Sequence, residues 1–206
     1  MGERETVRGL LEAIASPGPE GGGGAAAALT AATAAALVAM VGGVAARHAP
    51  SEAGLREIVA DAEALRQRLV VLIERDVQAF RRVLEAARRR DETRAPALRD
   101  ALVEATEVPL ELAAASARIL ERCLVLLPAA RASTLADLGV AGALAAAALE
   151  GAALTARANL EGLDAPAFVA DARRRLDQLV RDGAALRARL THALPGRARD
   201  VDSTPR

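Results

Sequence analysis

The sequence predicts an all-α protein, a single-domain bundle of about six helices, and three observations carry that prediction. Apolar side chains recur at spacings of three and four along nearly the whole chain, with no sustained alternation of the kind a strand requires. Proline and glycine fall at intervals that divide this pattern into segments of helical length. At 206 residues the chain is long enough for one substantial core and short for two. Helices are expected near residues 3–15, 22–47, 52–91, 96–127, 134–163 and 166–194, so one domain spans 1–194. The remainder, 195–206, begins at Pro195, is rich in Arg, Asp and Pro, and is expected to be a disordered tail.

Taken in order, the first helix stops before Pro17 and Pro19. The second follows four consecutive glycines, Gly21 to Gly24, which open onto an uncharged run from Ala25 to Ala46. Glycines let a backbone approach a ligand closely, and the first turn of the next helix offers unpaired N–H groups that attract carboxylate or phosphate. The structural alternative is a flexible entry to a tightly packed helix. The run has the length of a membrane span, yet only Leu29, Leu37, Val38, Met40, Val41 and Val44 are larger apolar residues, which favours a buried helix. Acidic Glu3, Glu5 and Glu12 precede it where a signal peptide would carry basic charge, so a cytoplasmic protein with no membrane partner is expected.

The third helix is amphipathic, with Leu55, Val59, Ala62, Leu65, Leu69 and Leu72 on one stripe. The fourth contains Pro109, which is expected to kink or interrupt it and to free the carbonyl of Ala105. The fifth begins at Thr134 to Asp137, a spacing suited to helix capping, and presents small residues all round, among them Gly139, Gly142, Ala146 and Gly151. The sixth starts at Pro166 and is striped by Phe168, Leu176, Leu179, Leu186 and Leu190. Helices two and five lack bulky side chains and are therefore placed at the centre. One small domain can hardly bury both, so a homodimer is the expected assembly.

Composition removes several functions. Charge is balanced, 27 basic against 27 acidic residues, and Phe80 and Phe168 are the only aromatics, which disfavours a nucleic-acid partner. No lysine occurs, so Schiff-base chemistry and a Walker-type phosphate lysine are excluded. Cys123 is single and lies among Ile119, Leu120, Leu124 and Leu127, as a packed thiol would. His48 and His192 stand far apart, which predicts no zinc site, and His48 suits a dipole-compensating place at a helix C-terminus.

Two polar residues interrupt apolar lines. Asp76 continues the stripe Leu69, Leu72, then Phe80 and Val83, and a carboxylate there needs an ion-pair partner, a raised pKa or a function. Asn159 lies on one line with Leu149, Ala152, Ala156 and Leu163, so its amide needs hydrogen-bond partners, either structural or within a polar patch that includes Thr155.

These pieces, in this order, resemble the cyclodeaminase and cyclohydrolase family of folate enzymes from about residue 6 to 180. Gly22, Gly23, Gly24, Ala27, Ala28, Leu29, Leu37, Met40 and Val41 match its P-G-G-G-S-x-A-A-L...L-x-x-M-V pattern. Asp76, Ala79 and Phe80 match a D-x-x-A-F segment, and Asp137, Leu138, Gly139 and Val140 an S-D-x-G-V segment. Gly21, Ala25, Arg131, Ala136 and Thr155 stand where the family usually has Pro, Ser, Asn, Ser and Asn, and the common Lys after D-x-x-A-F is missing. The resemblance implies an all-helical homodimer that binds a reduced folate and works at the carbon between N5 and N10, as a cyclohydrolase or cyclodeaminase, without metal or redox cofactor. It implies Asp76 as general acid or base and Asp137 as the group that orients it or shares its proton. Gly22, Gly23 and Gly24 would shape the pocket, Asn159 would bind substrate, and Arg99 would meet a glutamate carboxylate. The departures leave open a dimeric folate- or small-molecule-binding protein that has lost the chemistry.

Overall fold

The computed structural model describes residues 6–19, 21–49 and 51–202 and consists of α1 (Val7–Ala15), α2 (Gly23–His48), α3 (Ala53–Arg88), α4 (Arg94–Leu126), α5 (Leu135–Leu160) and α6 (Pro166–Asp202). No strand occurs among the described residues. Two short 3-10 turns, Leu127–Ala129 and Ala132–Thr134, join α4 to α5. The first helix starts later than its pattern suggested because Thr6 caps it, its Oγ1 accepting the Gly9 N–H at 3.1 Å. Residues 1–5 lie outside the described residues, and so do 203–206 of the expected tail. The backbone of α6 passes Pro195 and stays helical to Asp202, beyond the expected end at 194.

Helices α2 and α5 form the antiparallel centre. The start of α2 meets the end of α5, where a Cβ at Gly151 would lie 3.3 Å from that of Ala27. Small side chains permit this approach, and Ala28, Ala31, Ala35 and Val38 of α2 are buried with Ala145, Ala152 and Ala156 of α5. Both helices are long and apolar enough to cross a membrane, and each buries about half of its apolar window in the bundle, 56% for α2 and 44% for the window that holds α5.

Helix α3 doubles back on α2, and α4 on α3. The α3–α4 seam is edged by ion pairs: Arg68 and Arg75 hold Glu111 at 2.6 and 2.7 Å, Arg82 holds Glu104, and Arg118 and Arg122 hold Asp61. Partial burial pushes the Asp61 carboxyl up, but hydrogen bonds from Arg122 and Arg118 outweigh it and hold the group below its ordinary range. Such exposed pairs fix the register more than they stabilise. Helix α6 closes the other side, with Leu190 seated over Gly142 and Leu149 against Gly183, where side chains on the glycines would collide with the leucines. The amphipathic α3 and α6 are thus the outer elements that their stripes predict.

One local expectation fails. Thr134 does not cap α5; its hydroxyl donates to the Arg131 carbonyl at 3.1 Å, as the preceding 3-10 turn orients it backward. Helix α4 runs on through Pro109, and the Ala105 carbonyl that the proline was expected to free accepts a side-chain hydrogen bond from α5 instead.

Candidate active site

A cleft of about 740 Å³ opens where the start of α2, the second half of α3 and the end of α5 converge, roofed by the Pro17–Pro19 turn. Its chemistry centres on Asp76. The carboxylate, half-buried on α3, has no ion-pair partner among the described residues and instead accepts the backbone N–H of Ala25 in the first turn of α2. Burial pushes its pKa above the ordinary value of 3.8, and the Ala25 N–H only partly offsets that. The group is therefore poised to exchange a proton rather than locked as an ion pair.

Gly24 makes this arrangement possible. A Cβ at that position would overlap all three atoms of the Asp76 carboxyl group, so only glycine lets α3 bring its carboxylate against the end of α2. The Ala25 N–H is one of the groups that a helix start leaves unpaired, and Gly22, the N-cap, offers no side chain to satisfy them. The first intrahelical bond is Ala26 N–H to the Gly22 carbonyl at 3.0 Å. The N–H groups of Gly23 and Gly24 have no acceptor among the described residues and lie on the cleft wall.

Asn159 supplies the opposite wall. Its Nδ2 donates at 2.8 Å to the carbonyl of Ala105, the one freed by Pro109. Two sequence anomalies on different helices thus satisfy each other. Since the donor end faces that carbonyl, Oδ1 is the end left to accept a hydrogen bond from a ligand. One turn earlier on α5, the Thr155 hydroxyl lines the same cleft and donates to the Gly151 carbonyl at 3.1 Å, which leaves its oxygen as a further acceptor. Below Asp76 the α3 wall turns apolar through Val77, Phe80, Val83 and Leu84 and ends at Arg88.

The cleft accordingly gathers five of the expected site residues, Gly22, Gly23, Gly24, Asp76 and Asn159. The other two lie outside it. Arg99 is exposed on the first turns of α4, where Nη2 pairs with Asp100 at 2.9 Å. Asp137 sits in the first turn of α5, whereas Asn159 ends that helix, which separates the two by about 33 Å at 1.5 Å rise per residue. Within one chain Asp137 cannot orient Asp76. Phe80 and Thr155, which share the lines of Asp76 and Asn159 in the sequence, also line the cleft, and Arg88 is the lining residue to which the sequence reading gave no role; its place three turns beyond Asp76, at helical steps of four, was the available signal.

The remaining reactive side chains are accounted for elsewhere. Burial pushes the Cys123 thiol up to about 12, which makes it a packing group. His48 ends α2 with Nδ1 bonded to the Val44 carbonyl at 2.9 Å. No cluster of three or more His, Cys, Asp or Glu suited to a metal occurs among the described residues.

The family model described as formiminotransferase-cyclodeaminase matches residues 6–178. A methenyltetrahydrofolate cyclohydrolase of Methylorubrum extorquens is 33% identical over 199 residues, covering 92% of this chain and 96% of that protein. The crystal structure of a formiminotetrahydrofolate cyclodeaminase from Thermotoga maritima superposes with a TM-score of 0.87 over 94% of this chain and 98% of that one, at 23% identity, and thus shares the fold.

Proposed function

This chain belongs to the formiminotransferase-cyclodeaminase family, and on that premise we propose that it is a folate-dependent one-carbon enzyme that hydrolyses 5,10-methenyltetrahydrofolate. The observation that carries the reading is Asp76, a carboxyl group with raised pKa held by Gly24 and the Ala25 N–H inside a cleft of ligand size. The hydrolytic reaction is preferred over deamination because the cyclohydrolase relative is similar in sequence along the whole chain, whereas the cyclodeaminase contributes likeness of fold.

The substrate carries an electrophilic carbon shared between N5 and N10. As water adds to it, the Asp76 carboxylate takes one of the water's protons, and a tetrahedral carbon forms with a hydroxyl group. Asp76 then returns the proton to N5 as the carbon–N5 bond breaks, and the hydroxyl proton leaves to solvent, giving the 10-formyl product. General acid–base work of this kind contributes about 10²–10⁴ in rate. The Asn159 Oδ1 and Thr155 oxygen orient N–H and O–H donors of the reacting end, and the Gly23 and Gly24 N–H groups, which have no acceptor among the described residues, are available to the oxygen added from water. Water and proton transfer suffice, so the tetrahydrofolate derivative is the substrate and no separate cofactor is proposed. The proposed location is cytoplasmic, in keeping with a single buried thiol.

The test follows the methenyl chromophore with purified protein, in both directions. Loss of absorbance well above the buffer rate is expected. Ammonia released from formiminotetrahydrofolate would move the assignment to the deaminase reaction, and folate binding without turnover would leave a binding protein. Absence of binding would remove the folate reading.

A homodimer belongs to the same proposal. Helices α2 and α5 still expose large apolar side chains, Met40 at 40%, Val140 at 50% and Leu154 at 68%, on elements rich in small residues. Sedimentation velocity at micromolar concentration is expected to give the dimer mass, and Leu154→Glu to shift it toward the monomer. A folded wild-type monomer under those conditions sinks this part.

A further inference from the structure

We infer that Arg88 holds the carboxylate of the folate's glutamate tail, an inference that rests on the proposed substrate class. Asp76, Phe80, Val83, Leu84 and Arg88 follow one another along α3 at helical steps and line one cleft, half-buried at Asp76 and exposed at Arg88. Arg88 is the only cationic side chain among the described lining residues. It makes no hydrogen bond or ion pair with a described residue, a state it shares with Arg81 and Arg90, which do not line the cleft, while Arg82, Arg89 and Arg94 are engaged by Glu104, Thr93 and the Ala87 carbonyl. Arg99, the cation that the resemblance suggested for this task, is paired to Asp100 outside the cleft.

The spacing fits. Twelve residues of helix separate the Asp76 and Arg88 Cα atoms by about 18 Å, and helical side chains lean toward the N-terminus, so the guanidinium reaches several ångströms back toward Asp76. From N10, a benzoyl ring and an amide carry the first tail carboxylate about 10 Å at ordinary bond lengths. With the reacting carbon at Asp76, the benzoyl ring lies against Phe80, Val83 and Leu84, and the carboxylate comes within reach of the planar fork that arginine offers to carboxylates.

The experiment compares methenyltetrahydrofolate with methenyltetrahydropteroate, which lacks the glutamate, on wild type, Arg88→Ala and Arg88→Lys. Arg88→Ala is expected to raise KM for the glutamate-bearing substrate about ten- to a hundredfold with kcat retained, and to leave the pteroate compound unchanged. Arg88→Lys is expected to recover part of the preference, and added salt to weaken the wild-type preference. Equal effects of Arg88→Ala on both substrates, or no effect on either, would overturn the assignment while leaving the enzyme reading intact. Wild type that neither binds nor converts either compound would overturn both.

Discussion

Replacing Asp76 with asparagine is expected to lower kcat by about 10²–10⁴ while the protein stays folded. The amide keeps the size and an oxygen that can accept the Ala25 N–H, so what it removes is the exchangeable proton. Stability should respond in the opposite sense to activity. Burial raises the folded pKa of Asp76 above the 3.8 of an exposed aspartate, so the folded state binds more protons than the unfolded state between those two values. Stability contributed by this group is therefore lost as pH rises through that window. Asparagine escapes the loss, and at neutral pH the variant's thermal midpoint should equal or exceed that of wild type. In the pH profile, kcat/KM of wild type should rise as Asp76 ionises, at a pH above its ordinary value of 3.8, and this limb should vanish from the residual activity of Asp76→Asn. Paired thermal melts and rate profiles check both statements. Retained activity, or a large drop in the melting midpoint, would remove Asp76 from the proton-transfer role.

Much of this site is legible in the sequence because it violates the helical pattern. A carboxylate in line with Leu69, Leu72 and Phe80 marks Asp76, and an amide in line with Leu149, Ala152 and Ala156 marks Asn159. Pro109 likewise announces that the Ala105 carbonyl has lost its donor. That Asn159 supplies the missing donor is not legible, since the partners are 54 residues apart and a helical wheel gives the face of a helix, not the level at which a neighbour packs. The same gap explains the two residues that lie outside the cleft. Asp137 shares α5 with Asn159, but at the other end, and Arg99 has a carboxylate beside it in sequence that claims its charge. Helix order and kind were recoverable because α2 and α5 are chemically unlike α3 and α6. Their boundaries depended on details such as the Thr6 cap, which move an end by a few residues.

Within the glycine run Gly24 has the least room, ahead of Gly21, where a Cβ would meet the Ile14 backbone at 3.1 Å, and Gly24→Ala is expected to be the most damaging single-methyl change in the loop. At Gly22 a Cβ would meet nothing within 4 Å, and at Gly23 the nearest atom is the Thr155 Oγ1 at 3.9 Å, an ordinary contact. At Gly24 the methyl would occupy the space of the Asp76 carboxyl group itself. Either α3 and α2 part or the carboxylate swings off the Ala25 N–H, and both outcomes take the proton-transfer group from its seat. Overpacking of this kind destabilises by about 1–3 kcal/mol. It outweighs the gain of about 0.5–1 kcal/mol that alanine brings over glycine inside a helix, whereas Gly23→Ala should realise part of that gain. Activity of Gly24→Ala should fall toward that of Asp76→Asn, because the same carboxylate is displaced. A double-mutant cycle isolates the cause. In an Asp76→Ala background the space is empty, so Gly24→Ala should become neutral or stabilising, with a coupling of about 1–3 kcal/mol by urea denaturation of the four proteins. Equal destabilisation by Gly24→Ala in both backgrounds would mean that the glycine serves the loop alone, and that the close approach to Asp76 does not govern the site.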